Sequence, residues 1–297
     1  MIKICIISPA SHLEKYSSLG DCEMALTHLV LSDAGFHHSE YVTQNYVKYF
    51  KTKSQEGKFI ILDNSAYEIG NLEKSNASGS GLGPELVLRA AEILEPSIVI
   101  CQDVLCDKDA TLEATKYFIN QVKKKGLFAK FQLMGVPQGR TKDEWLSCYE
   151  EMLKIPEINQ IGFSKISVPV SFLQDQKSPG CVTAARLLCT GAVDELFKVK
   201  KPAHLLGGDN KLAHELSQQA RYKWIRSNDS SAAVQYGIFN QVFDTTTGMI
   251  PDIITAKPDL ENLKEETFLQ LEAASSNILH NIATLHKMSK GSKWSHT

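Results

Sequence analysis

The sequence predicts an α/β fold, a single (β/α)8 TIM-type barrel with a C-terminal helical extension, on three observations. Short apolar runs rich in β-branched residues recur along the chain, each separated from the next by a longer amphipathic stretch, which is the pattern of βα units around a parallel sheet. Eight such runs can be counted, the number that closes a barrel. The length, 297 residues, accommodates one barrel of about 250 residues with an extension to spare.

Strands are expected near 3–8, 28–32, 59–64, 98–102, 129–135, 160–164, 203–207 and 223–227. Helices are expected at 39–53, at 84–95 behind the Gly83-Pro84 start, at 107–125 behind Asp107, at 141–154 behind Thr141, and at 179–190 and 210–220. The Gly- and Ser-rich segment from Lys74 to Pro84 reads as a loop over the barrel, a candidate lid. Residues 1–258 then form the catalytic barrel. From 259 to 289, apolar side chains at Leu260, Leu263, Phe268, Leu271, Ile278, Ile282 and Leu285 predict a helix packed by one face on the barrel, followed by a flexible tail over 290–297.

A formal net charge of -2 supplies no global attraction to phosphate, so a nucleic-acid partner would need a segregated basic face. The seven cysteines are scattered and form no C-x-x-C pair, which fits reduced thiols and a cytoplasmic location. The opening apolar run is too short for a signal peptide, and no run reaches the roughly 20 residues of a membrane span. No metal is expected: no cysteine follows Cys189 and the histidines show no ligand spacing. Phosphate-loop and dinucleotide fingerprints are absent, and no cofactor is expected.

In such a barrel the active site gathers at the carboxyl ends of the strands. Polar residues stand there in series: Asp63-Asn64-Ser65-Ala66-Tyr67, Gln102-Asp103, Gly135-Val136-Pro137-Gln138-Gly139, Gly162 with Lys165, His204-Leu205-Leu206-Gly207 and Arg226-Ser227-Asn228-Asp229. Three aspartates converging on one pocket can divide into a nucleophile and a proton-transfer group. An aspartate at a strand end equally caps the next helix, the glycines equally turn the chain, and His204 on an apolar strand reads as a hydrogen-bonded core residue.

These motifs occur in the order and spacing of the tRNA-guanine transglycosylase superfamily. From Phe59 to Ser231 the chain most resembles its compact DNA-modifying branch, the 7-deazaguanine DNA transglycosylases of phages and bacteria. The resemblance implies that Asp229 is the nucleophile that attacks the sugar C1′ and that Asp63 moves the proton between enzyme and base. It implies that Tyr67 stacks on the base, that Asp103 and Gln138 read its edge beside Gly139, that Gly162 brings backbone close to the ring, and that Leu206 and Gly207 cover its other face. The partners implied are DNA and a 7-deazaguanine base, with 7-cyano-7-deazaguanine the expected one. Arg226, Lys165, Arg186, Arg221 and Lys223 lie near the expected rim as candidate phosphate contacts, with structural ion pairs as the alternative for each. The zinc site and added RNA-binding domain of the tRNA enzymes have no counterpart in this sequence. Base exchange in tRNA, hydrolysis of an N-glycoside, and a barrel that only binds modified bases or nucleic acid are the competing readings.

Overall fold

A computed structural model of the protein describes residues 1–31, 39–66, 82–173, 181–250 and 271–291. It is a (β/α)8 TIM-type barrel: eight strands, all parallel, in the order β1-β8-β7-β6-β5-β4-β3-β2. The strands are β1 (Lys3–Ile6), β2 (Glu23–Leu26), β3 (Ile60–Asp63), β4 (Ile98–Ile100), β5 (Gln132–Gly135), β6 (Ile158–Ser164), β7 (Ala203–Leu206) and β8 (Ile225–Ser230). The sheet is nearly closed: β1 and β2 meet through one parallel bridge between Cys5 and Cys22.

Between the strands lie α1 (Thr27–Val30), α2 (Glu40–Gln55), α3 (Pro84–Leu94), α4 (Lys108–Lys124), α5 (Lys142–Lys154), α6 (Cys181–Leu196) and α7 (Leu212–Gln219), with α8 (Ala232–Ile238) and α9 (Ser275–Met288) after β8. The start signals read from sequence act as expected. Asp107 accepts from Ala110 N at 3.0 Å at the head of α4, Pro84 opens α3, and Thr141 with Glu144 forms a capping box on α5.

Alternation along the strands builds two apolar layers. Cys5, Cys22, Met24, Ile61, Ile98, Ile100, Met134 and Val136 fill the lumen, whereas Leu62, Val99, Leu133, Phe163 and Leu205 point outward into the layer shared with the helices. There Trp145 of α5 packs on Phe163 with ring centroids 5.2 Å apart. The described terminal helix begins at Ser275, after a turn at Ala274, and packs by one face: Ile278, Ile282 and Leu285 are buried, and Asn281 donates to the carbonyls of Ala233 and Gln241 while accepting from Phe243 N. Leu260, Leu263, Phe268 and the tail from 292 onward lie outside the described residues, as does most of the Gly/Ser-rich segment.

Three expectations are corrected. The second strand is Glu23–Leu26, not 28–32; Glu23 N donates to Phe59 O and the strand runs in register with β3, while Thr27–Val30 turns into a short helix. The eighth strand spans Ile225–Ser230 instead of 223–227, which places Asp229 inside it. Cys5 and Cys22 are joined as a disulfide across the seam, Cα atoms 4.8 Å apart, so not all thiols are free; Cys101, Cys106, Cys148 and Cys189 are. No helix among the described residues is long and apolar enough to cross a membrane.

Candidate active site at the carboxyl mouth of the barrel

All strands point the same way, so Asp63, Asp103, Gln138, Lys165, Gly207 and Asp229 come to one end of the barrel, on β3 to β8 or the turns just after them. Asp229 sits on the lumen face of β8, two residues beyond Ser227, and is almost fully buried. Its Oδ1 lies 2.9 Å from His204 Nε2 and accepts from Gly207 N at 3.2 Å. Among the described residues nothing hydrogen-bonds Oδ2. His204 Nδ1 lies 2.7 Å from Ser227 Oγ, completing a serine, imidazole, carboxylate chain within the lumen.

The amide of Gly207 can reach Asp229 because the residue turns the chain at φ +72°, a conformation that favours glycine. Asn228, next to Asp229 but on the opposite face of β8, donates through Nδ2 to the carbonyls of Leu205 and Gly207 and holds that turn in place.

Across the mouth, Asp103 is held on both oxygens. Asn64 Nδ2 donates to Oδ1 at 2.8 Å and Gln138 Nε2 to Oδ2 at 2.5 Å, while Gln138 Oε1 accepts from Cys106 N at 3.0 Å. That last bond fixes which end of the Gln138 amide faces the carboxylate. Burial pushes the Asp103 carboxyl above its ordinary range, and the two amide donors work against that rise. Asp63 ends β3 on the lumen face that carries Ile61; Ser65 N donates to its Oδ2 at 3.3 Å, and Thr27 Oγ1 donates to its carbonyl.

The remaining expected residues divide. Leu206 lies over Gly162, where an added Cβ would stand 2.8 Å from Leu206 Cδ1, so the two belong to one apolar wall of the lumen. At Gly139 an added Cβ would lie 2.5 Å from Trp145 N, so the glycine serves the close approach of the loop to α5. Gln138 is fully buried and spent on Asp103 and Cys106, which makes it the support of Asp103 instead of a direct reader of the base. Tyr67 lies outside the described residues.

Of the five expected phosphate contacts, Lys165 is partly exposed at the mouth, where it is ion-paired with Asp209. Burial lowers the Lys165 ammonium, whereas the Asp209 carboxyl, which burial alone would raise, is brought below its ordinary value by the Lys165 charge. Arg186 is completely buried against Glu215. Arg221 and Lys223 precede β8 and Arg226 is its second residue, so all three lie toward the amino end of the barrel, away from the mouth. Among the described residues, Lys108, Arg140, Lys142 and Lys211 are exposed or half-exposed cations at the heads of the helices that follow β4, β5 and β7.

His204, Ser227 and Asn64 are the members that sequence reading did not assign. The signal for the first two was the spacing: His204 stands two residues before Leu206 and Ser227 two before Asp229, hence on the same strand faces. No group of three or more His, Cys, Asp or Glu side chains among the described residues is arranged to hold a metal. Set against models of known families and against characterised proteins, the chain matches none of them.

Proposed function

We propose that the protein is a base-exchanging transglycosylase that replaces guanine in DNA with a 7-deazaguanine, 7-cyano-7-deazaguanine by expectation, through a covalent ester to Asp229. The observation that carries this reading is the state of Asp229: a carboxylate in the lumen of the mouth, bonded among the described residues through Oδ1 alone, with Oδ2 left to attack.

In the first half-reaction Oδ2 forms a bond to C1′ while the C1′–N9 bond breaks and its electron pair leaves with guanine. Asp63, on the same mouth with β1 and β2 between it and Asp229, supplies the proton that the departing base takes up. In the second, N9 of the incoming base attacks C1′, its proton passes to Asp63, and the ester electrons return to Asp229. Two displacements at one carbon retain the sugar configuration. Asp103, with each oxygen already accepting one amide hydrogen bond, has acceptor capacity left for the N–H groups of a guanine edge.

Reaching C1′ requires the nucleotide to leave the stack. Lys108, Arg140, Lys142 and Lys211 are the cations placed to hold the flanking phosphates, in the stead of the four that turned out to be buried or at the far end. Purified protein is expected to exchange labelled guanine in DNA for the deazapurine and to give a covalent adduct stable to denaturation. Asp229→Ala abolishes both. Exchange retained by Asp229→Ala removes the nucleophile assignment, tRNA outperforming DNA moves the reading to the RNA branch, and abasic sites without an incorporated base make the enzyme a hydrolase.

A further inference from the structure

His204 reads from the sequence as a hydrogen-bonded core residue, and in the fold it is the central member of a chain that ends on the proposed nucleophile. It is fully buried, with Ser227 Oγ on one ring nitrogen and Asp229 Oδ1 on the other. We propose that His204, rather than merely filling the lumen, is the positioning residue that selects which oxygen of Asp229 attacks and that draws off its charge when the ester breaks.

The protonation pattern follows from the partners. An ionised carboxylate has only lone pairs, so the ring nitrogen facing Asp229, Nε2, carries the hydrogen; Nδ1 is then bare and takes the Ser227 hydroxyl proton. The Asp229 carboxylate thereby sets the tautomer, and the Ser227 hydroxyl, able to donate or accept, complements it on the other nitrogen. Gly207 N adds a second donor to the same oxygen. The two oxygens of a free carboxylate are equivalent, but two donors on Oδ1 remove that equivalence and leave Oδ2 as the one pointing at the sugar.

The inference rests on the transglycosylase reading and makes the two half-reactions unequal. On attack, Oδ2 bonds to C1′ and the base leaves with the electron pair of the C1′–N9 bond; Oδ1 becomes the ester carbonyl oxygen, still facing the imidazole and the Gly207 amide. On breakdown, N9 of the incoming base bonds to C1′ and the C1′–Oδ2 pair returns to the carboxylate, where half of the new charge falls on Oδ1 in front of two waiting donors. Loss of the imidazole donor makes the carboxylate less well oriented but more basic, so attack suffers little. Breakdown loses stabilisation of its leaving group and suffers most.

The test uses the full chain with DNA and saturating 7-cyano-7-deazaguanine. His204→Phe is expected to lower kcat by about 10²-fold, the scale for removing one donor of this kind, while KM for the incoming base stays within a factor of a few and the covalent enzyme-DNA fraction rises. His204→Gln, whose amide can donate to Oδ1, is expected to recover part of kcat and to reduce that build-up. Long-range ¹⁵N–¹H correlation on the labelled protein, with His204 assigned through the Gln variant, is expected to show hydrogen on Nε2 and a bare Nδ1. Ser227→Ala is expected to shift that Nδ1 resonance.

A bare Nε2, with the ring hydrogen on Nδ1 alone, overturns the clamp without reference to activity. Exchange by His204→Phe at the wild-type rate, a fall in kcat without accumulation of the adduct, or a Gln variant no better than Phe overturns the role in breakdown. If the wild-type protein forms neither adduct nor product, the transglycosylase reading fails and the kinetic role fails with it, whereas hydrogen on Nε2 would still establish the hydrogen-bonded chain. The NMR and kinetic arms therefore tell the two failures apart.

Discussion

Single buried residues set the electrostatics of this barrel, and Glu23 carries the clearest consequence. It opens β2 facing outward, and Tyr49 of α2 donates to its Oε1 at 3.0 Å. Its Oε2 is buried and has no hydrogen-bond partner among the described residues. Burial pushes the carboxyl up to about 7, against the lowering influence of Tyr49, Lys53 and Lys58. A carboxyl raised in the fold binds its proton more tightly there than in the unfolded chain, where it titrates near 4.5. Its contribution to stability is therefore complete below about 4.5 and is lost as the pH rises through about 7. Glu23→Gln keeps an acceptor for Tyr49 and cannot ionise. Urea unfolding is expected to show its stability advantage over the wild type growing from pH 4.5 to 7.5, to a value on the order of 1–3 kcal/mol. A gap that does not change with pH would place the ionisation elsewhere.

At the scale of elements, Arg186 shows how a residue that resembles a ligand contact becomes a clamp. Its Nε and one terminal nitrogen bond both oxygens of Glu215 at 2.6 and 2.7 Å, and the remaining N–H groups reach the carbonyls of Phe163, Leu206 and Gly207. The guanidinium thus joins the carboxyl ends of β6 and β7 to α7, and it braces the turn whose amide holds Asp229. Removing one partner of a fully buried pair typically costs about 3–5 kcal/mol, because the other charge is left without compensation. Arg186→Leu is expected to lose stability on that scale in urea, and the Arg186→Leu, Glu215→Leu double variant to lose less. A stable Arg186→Leu protein with weakened DNA binding would return the residue to the interface.

For the whole molecule, the weak point of the nearly closed sheet is the seam between β1 and β2, where one bridge replaces a ladder. The Cys5–Cys22 disulfide stands at that bridge and closes a segment with a sequence separation of 17. In the loop-closure account a cross-link over about 15 residues contributes about 3 kcal/mol. Reduction with dithiothreitol is expected to lower the urea midpoint of the wild type and to leave that of Cys22→Ala unchanged. Equal midpoints for the wild type with and without reductant would show that the seam holds by packing alone.

Much of this is legible in the sequence. Asp107, Thr141 and Gly83-Pro84 mark helix starts because capping is local chemistry, completed within four residues. Asp63 could be placed at the end of β3 because an unbroken apolar run, Phe59-Ile60-Ile61-Leu62, stops there. The second strand was not legible: Glu23, Met24, Ala25 and Leu26 are all good helix formers, and they are extended only because β3 offers its hydrogen bonds alongside. Nor could a sequence assign the cations. Arg186 and Arg226 are equally charged on paper, and burial against Glu215 or position at the amino end of β8 decides what each can touch.

The sequence by itself determined the barrel, its helix starts and the set of polar residues at its carboxyl mouth, because periodicity, capping and strand direction are properties of short stretches. Only the tertiary structure decided which oxygen of Asp229 is held, that His204 and Gly207 hold it, and that Gln138 supports Asp103. Those are contacts between strands far apart in the chain, and they exist only once the sheet has curved those strands around one lumen.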